Sequence, residues 1–418
     1  MRILVLTNMY PPHAFGGYEQ SCRDVVERWR ATGHEVLVLT STVRVPGVDE
    51  GAEPPNEVRR LLRLYWADHE ILDPPPRVRY QMERSNRKAL DAAVAEFAPD
   101  VVSAWAMGAM SLGALGAVAR RGLPVVSVVC DDWPCYAPSV DAWMRPLRTR
   151  RHLARVVRLL TGLEVDLPPL DSAGTGCFVS QFLLDAVRER SPWTFPDATV
   201  VYSGIKAEEF PFAQPVTDSF AWRLLYVGRI DPRKGIETVI RALARCPESA
   251  TLAIVGTGDD RHLQDLHAVT ASLGLEERVR FQASPRAELA GLMHAADALV
   301  FPSVWDEPFG LVPVEAMSSG LPVLGTPVGG AAEFLVDGMN CLRFPPGDVE
   351  ALVAALHRLA GDPRLRARLV AGGRATAAEL GVDRLADALD AWHRHCAAGA
   401  DAPRPAARRL PSSVVGPG

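Results

Sequence analysis

Short apolar runs, many of them β-branched, alternate along this chain with longer stretches whose apolar positions recur at helical spacing. Ile3 to Thr7, Val36 to Thr40, Val101 to Ser103, Val125 to Cys130, Cys177 to Ser180 and Thr199 to Tyr202 form a first series of runs. Such alternation predicts parallel strands joined by crossover helices. The stretch Phe210 to Ser219, rich in Pro, Ala and polar residues, interrupts the rhythm. A second series follows: Leu224 to Val227, Leu252 to Val255, Val279 to Gln282, Ala298 to Phe301, Pro322 to Leu324 and Cys341 to Phe344. The expectation is an α/β chain of two doubly wound, Rossmann-like halves, residues 1–212 and 213–382.

The halves echo one another. Gly122-Leu123-Pro124-Val125 in the first matches Gly320-Leu321-Pro322-Val323 in the second, each with Gly past a helix end, then Pro, then a buried strand. Residues 44–85 break the pattern with Pro46, Pro54, Pro55 and the run Pro74-Pro75-Pro76, and read as an irregular, functional loop region. The tail, residues 397–418, is rich in Ala, Pro and Gly and reads as disordered.

Composition narrows the partners. A net charge of −5 supplies no broad basic field for a nucleic acid backbone. No apolar run reaches the ~18 residues of a membrane span, and the apolar start after Arg2 is too short for a signal peptide, so a cytoplasmic location is expected. The seven cysteines are scattered and none forms a Cys-x-x-Cys pair, which points to reduced thiols. The ten histidines show no paired metal spacing, and no metal site is expected.

Open α/β sheets bind ligands where strands end, so the loops that follow strands are the places to search. Residues 305–320, WDEPFGLVPVEAMSSG, follow the strand Ala298 to Phe301. Pro308, Gly310 and Pro313 rule out a single helix carrying both Glu307 and Glu315. Pro313 instead suits the first turn of a new helix, whose free N–H groups near Gly310 and Leu311 would make an anion site. A carboxylate at each end would then flank one ligand: Glu315 on a ribose, Glu307 on a sugar beyond the phosphates.

Three other loops carry polar groups. YVGRIDPRKG, residues 226–235, sets Arg229 and Lys234 between Gly228 and Gly235, two cations able to hold a pyrophosphate and stabilise its charge on departure. Gly16-Gly17, after the first strand, either opens a helix toward an anion or is a bare turn. In AIVGTGDD, residues 253–260, Gly256 begins a Gly-x-Gly that is a ligand loop or a tight turn. The Gly-x-Gly-x-x-Gly fingerprint of NAD-binding folds is missing.

In this order and spacing, these segments resemble the retaining GT-B glycosyltransferases of family GT4, over residues 1 to about 396. The motifs that carry the likeness are Gly16-Gly17 followed by RATGHEVLVLTS, VSQFLLDAV at 179–187, VVYSGIKAEEF at 200–210, VGRIDPRKG, VGTGDD and EPFGLVPVE. The resemblance implies two Rossmann-like domains facing across a cleft: an acceptor-binding first domain, rejoined by a helix around 383–396, and a second that binds a nucleotide-sugar. It implies Glu315 on the ribose, Arg229 and Lys234 on the pyrophosphate, the Gly310 and Leu311 amides on phosphate, and Glu307 on the donor sugar. Gly228, Gly256, Arg286 and Phe309 would complete the donor site, with Gly16 and Gly17 reaching the diphosphate from the other domain. Transfer with retention and without metal or other cofactor is implied as well. QASPRAEL, 282–289, would lie by the base and has no acid before Glu288, which favours UDP over GDP.

One departure stands out. Family members often carry His-Asp where this chain has SVVCDDWPCY, residues 127–136. Asp131 takes the His place, or Cys130 does if the alignment slips by one residue. A carboxylate there could accept from a sugar hydroxyl or pair with an amine.

The acceptor stays open, a small natural product or a glycan precursor. Two rival readings remain: a nucleotide-sugar epimerase of the same architecture, and a protein of the membrane surface, either a transferase of glycans or lipids held there or a lipid- or partner-binding protein whose enzymatic pocket has decayed. The second is prompted by MRPLRTRRHLARVVRLLTGL, residues 144–163, with six arginines among apolar residues at near-helical spacing.

Overall fold

A computed structural model describes residues 1–48, 54, 56–67, 70–214, 219–399, 402–406 and 410. The chain divides into two compact units, one holding Met1–Tyr202 with the stretch from Leu385, the other holding Ser203–Arg384.

In the first unit the strands are β1 (Arg2–Leu6), β2 (Glu35–Ser41), β3 (Val58–Leu62), β4 (Trp66–Ala67), β5 (Glu70–Ile71), β6 (Val101–Ala104), β7 (Val125–Val129), β8 (Gly174–Phe178) and β9 (Ala198–Val200). Seven of them make one sheet in the order β3-β2-β1-β6-β7-β8-β9, with every pair parallel. Its inner strands β1, β6 and β7 are buried almost throughout, as expected when helices cover both faces. The long helix Val382–Ala398 returns to this unit, where Trp29 Nε1 donates to the Ala386 carbonyl at 3.0 Å. That helix overruns the start of the expected tail, most of which lies outside the described residues.

The second unit holds β10 (Arg223–Val227), β11 (Thr251–Val255), β12 (Val279–Gln282), β13 (Ala298–Phe301), β14 (Val323–Gly325) and β15 (Leu342–Arg343), again all parallel, ordered β12-β11-β10-β13-β14-β15. Leu224, Tyr226, Leu252 and Ile254 pack on one face against Ile236, Val239, Ile240 and Leu243 of the helix Ile236–Leu243.

Each sheet reverses its winding once, between β1 and β6 and between β10 and β13. At such a switch point the two outgoing loops diverge to opposite faces and leave a crevice at the strand ends. In the second unit these are the loops carrying Arg229 and Lys234 on one side and Glu307 and Gly310 on the other.

Two expectations need correction. Residues 44–85 are not irregular throughout: Val58–Leu62 pairs with β2, β4 and β5 make a small antiparallel pair, and a helix starts at Pro76. The strand was hidden because it is an edge, where arginines replace the buried run: Arg60 donates to the Tyr10 and Pro11 carbonyls and Arg59 pairs with Glu96. The basic stretch 144–163 is two helices, Arg145–Arg148 and Arg151–Thr161, because Arg150 leaves helical geometry at φ −118, ψ 63.

Candidate active site

At the β10/β13 switch point the short turn Pro232–Lys234 begins with Asp231, whose side chain accepts from the Arg233 amide. The turn is tied to the loop after β13: the Val304 amide donates to the Arg233 carbonyl at 2.9 Å. Gly235, at φ +64, lies so close to the Pro302 carbonyl that a Cβ there would sit 2.2 Å from it. This anchoring delivers Lys234 to Glu307, with Nζ to Oε1 at 2.5 Å. Ser303 Oγ donates to the same carboxylate oxygen at 2.8 Å.

The loop that carries Glu307 is held from behind. The Gly330 amide donates to the Glu307 carbonyl at 2.7 Å, and Gly329, at φ +55, packs on the Glu307 backbone where no side chain would fit. Gly310, at φ +94, caps the helix Leu311–Ser319, with Pro313 in its first turn. The Gly310 and Leu311 amides donate to no acceptor among the described residues. They form a half-exposed group of free donors at a helix start, suited to an anion.

Glu315 is buried, and its Oε1 accepts from Arg286 Nη1 at 2.8 Å. Arg286 also reaches Glu209 at 2.7 Å and stacks over the Phe210 ring at 5.0 Å. Burial alone would lower the pKa of this guanidinium, but the two carboxylates raise it. Arg229 is exposed and makes no ion pair among the described residues, while its carbonyl accepts from the Tyr226 hydroxyl at 2.7 Å.

Three expected donor residues take different parts. Phe309 is buried and packs on Phe334, with ring centroids 4.9 Å apart, so its side chain anchors the loop instead of facing a ligand. Gly228 and Gly256 have their amides occupied by the Val255 and Gln282 carbonyls. Gly256 is needed because a Cβ there would sit 1.9 Å from the Gly228 carbonyl oxygen, which makes it the closure between two loops. A cavity of ≈ 990 Å³ runs from Gly256–Gly258 and Gln282 along β10–β12, and neither Lys234, Glu307 nor Glu315 lines it.

In the first unit Gly16 caps the helix Gly17–Ala31, and its amide donates to Glu19 Oε2 at 3.0 Å, so an internal carboxylate already uses part of that helix start. Tyr18 donates to the Val128 carbonyl and ties this helix to the end of β7. There Asp131 accepts from the Trp133 amide at 3.2 Å and the Tyr136 hydroxyl at 3.0 Å. Burial pushes the Asp131 carboxyl up to about 7, against the lowering effect of those two hydrogen bonds. Tyr136 lines a pocket of ≈ 230 Å³ at the β1/β6 switch point, with Asn8, Phe15, Glu19, Trp66 and Gly108. Gly108 leaves room for the Tyr136 ring: a Cβ there would fall 2.1 Å from the hydroxyl and displace it.

Sequence reasoning named the charged residues but neither their pairing, Lys234 with Glu307 and Arg286 with Glu315, nor the residues that hold them: Ser303, Gly329 and Gly330 behind Glu307, Glu209 behind Arg286, and Tyr136 behind Asp131. The Gly-Gly at 329–330 was a visible signal, whereas Glu209 and Tyr136 are ordinary residues without one. Among the described residues no group of three or more His, Cys, Asp or Glu converges as metal ligands.

Two family profiles match, "Glycosyltransferase Family 4" over residues 15–209 and "Glycosyl transferases group 1" over residues 209–376. The chain belongs to the GT4-type glycosyltransferases and is an enzyme of the glycosyl-transfer class. It is similar to a glycogen synthase of Mycobacterium tuberculosis, 28% identical over 401 residues that cover 90% of this chain and 89% of that protein. A D-inositol 3-phosphate glycosyltransferase of Frankia alni is 37% identical over 183 residues, 41% of this chain and 45% of that one. Among solved structures, sucrose-phosphate synthase from Thermosynechococcus elongatus superposes with a TM-score of 0.70 at 21% identity, covering 94% of this chain and 98% of that one. An Anabaena protein in complex with UDP and glucose does so at 0.67 and 22%, covering 93% and 98%. The fold is GT-B, two Rossmann-like α/β domains.

Proposed function

We propose that the protein transfers a sugar from a nucleoside-diphosphate donor, UDP in preference to GDP, with retention of anomeric configuration. The observation that carries this reading is the convergence, at one switch point, of Lys234, Glu307 and the unoccupied amides of Gly310 and Leu311. On binding, the diphosphate would draw Lys234 from Glu307 and free that carboxylate for the donor sugar, with Arg229 joining the anion and Glu315 the ribose.

In the chemical step the bond from the anomeric carbon to phosphate oxygen breaks. The acceptor oxygen bonds to that carbon on the same face, and the acceptor proton passes to the departing phosphate. The two cations and the helix start supply the positive charge that this departure requires, so no metal is assigned a part.

UDP is favoured because Glu288, the one acid in the sequence of residues 282–289, accepts from Ser284 at 2.7 Å and is engaged locally. Folds of this type solved with UDP, and with UDP-glucose, support the same choice. The pocket beside Tyr136 and Asp131 is the proposed seat of the acceptor, a glycan precursor or small natural product. Seven unbridged cysteines suit a reducing compartment, and we place the protein in the cytoplasm. Membership of a transferase family takes the place of the epimerase reading.

The test is a thermal-shift panel of UDP, GDP and their sugars, followed by NMR of the anomeric centre in any product. A ligand at 100 times its Kd adds about 2.7 kcal/mol of stability. Stabilisation by UDP compounds and a product of unchanged anomeric configuration are expected. Inversion, or indifference to every nucleotide tried, overturns the proposal.

A further inference from the structure

The helix Arg151–Thr161 is packed the wrong way round for a globular domain. Surface helices ordinarily turn their apolar stripe to the core. Here Leu153, Val156, Val157 and Leu160 fall at i, i+3, i+4 and i+7, the spacing of one helical face, yet the one buried residue of the helix is Ala154. Leu153 is 45% exposed, Val156 51%, Leu159 86% and Leu160 78%. Four large apolar side chains on eight residues stay open to solvent, Leu159 and Leu160 for most of their surface.

The charge around the stripe has one sign. From Ala142 to Leu163 the sequence has six arginines and no acid, in a chain whose net charge is −5. Arg145 pairs with Asp73 and Arg158 with Asp166. Arg148, Arg150, Arg151 and Arg155 are exposed and have no carboxylate partner among the described residues. On the helix, Arg151, Arg155 and Arg158 lie on the side away from the stripe.

We propose that this face, the helices Arg145–Arg148 and Arg151–Thr161 together, docks on an anionic lipid bilayer. The four apolar side chains enter the headgroup boundary, and the arginines reach along their stems to the phosphates. Charge decides among occupants. A second copy docked through the same face would bring two sets of like charges together, because a two-fold interface pairs a patch with itself. A nucleic acid would take the arginines but leave the leucines in water. The contact is peripheral, since no helix among the described residues is long and apolar enough to cross a membrane.

The test is flotation of the full-length protein with vesicles of zwitterionic lipid alone and of the same lipid containing about one-third anionic lipid, over a salt series. It uses no nucleotide, so its outcome is separate from that of the transfer reaction. Binding to anionic vesicles at low salt, weakening as salt rises, is expected. The triple variant Arg150→Gln, Arg151→Gln, Arg155→Gln should bind about 100-fold more weakly, at roughly five-fold per arginine. The double variant Leu159→Gln, Leu160→Gln keeps every charge and should lose about ten-fold or more. Both sites are exposed, so both variants should retain wild-type circular dichroism and melting temperature. No binding to anionic vesicles at low salt, or binding that neither variant changes, overturns the proposal. So does a wild-type dimer in sedimentation that the leucine variant abolishes, which would give the face to self-association.

Discussion

Lys234 Nζ lies 2.5 Å from Glu307 Oε1, so the proposed pyrophosphate cation and the proposed sugar-binding acid hold one another in the unliganded protein. Both side chains are largely buried, 20% and 8% exposed. Each is thereby neutralised and pre-placed, and an arriving donor must exchange this contact for two of its own.

That arrangement separates stability from catalysis. Lys234→Ala leaves a buried carboxylate with Ser303 as its one remaining side-chain donor among the described residues, and breaking such a pair costs about 3–5 kcal/mol when both groups are buried. Adding Glu307→Gln to Lys234→Ala should recover much of that loss, since no charge is then stranded. Activity should not recover with it: loss of the cation at the leaving group is expected to lower kcat by about 10²–10³ in the single and the double variant alike. Urea denaturation and steady-state kinetics on the four proteins of the cycle check both statements. Equal recovery of stability and activity would make the lysine a structural partner of Glu307 and nothing more.

The clamp of Arg286 between Glu209 and Glu315 leads to a binding experiment. With Oε1 of Glu315 held by Arg286 at 2.8 Å, the carboxylate is fixed in position for the proposed ribose contact. Glu315→Ala should weaken UDP binding by about 1.5–3 kcal/mol, the range for hydrogen bonds to a charged group. Titration calorimetry with UDP and with uracil would show it: the effect should be large for the nucleotide and absent for the base. An unchanged UDP affinity would end the ribose assignment.

Most strands were legible because parallel strands covered on both faces are continuous apolar runs. Val279–Gln282 and Ala298–Phe301 coincide with their expected limits, whereas Val58–Leu62, an edge carrying Arg59 and Arg60, does not look like a strand at all. Loops at strand ends were legible as places, since the sheet order puts β10 beside β13. The contacts inside them were not. Lys234 and Glu307 are 73 residues apart in the chain, and Arg286 and Glu209 are 77 apart. Nothing local in either segment encodes its partner. Phe309 is the opposite case, a motif residue whose apolar side chain is buried and packs on Phe334.

Asp131 should leave a mark in a pH profile. Its carboxyl, raised to about 7 by burial, is protonated in the folded protein over a range where the unfolded chain is ionised. The folded state therefore binds more protons between about pH 4 and 7, and this group's contribution to stability declines as pH rises through that window. If the ionised form is what meets the acceptor, kcat/KM should fall below about pH 7, and Asp131→Asn should remove that limb while lowering the plateau. A limb that survives in Asp131→Asn belongs to another group.

A second buried acid makes the same argument without any involvement of the proposed site. Glu83 accepts from the Tyr65 hydroxyl at 2.6 Å and from Ser111 at 2.7 Å, and burial, with Asp141 nearby, pushes it up to about 8. Asp141 is raised by the same burial, although the Leu112, Trp143 and Met144 amides all donate to it. Because the folded pKa of Glu83 exceeds the unfolded one, its stabilising share is complete at low pH and is lost as pH rises toward about 8. Glutamine has the shape of the protonated acid: its oxygen can accept from Tyr65 and its amide can donate to Ser111. Glu83→Gln should therefore match the wild type in melting temperature near pH 5 and exceed it increasingly above pH 7. Melting curves of both proteins at half-unit intervals from pH 5 to pH 9 decide the matter. Parallel curves across that range would mean that Glu83 is ionised in the folded protein at neutral pH, with a counter-charge close by.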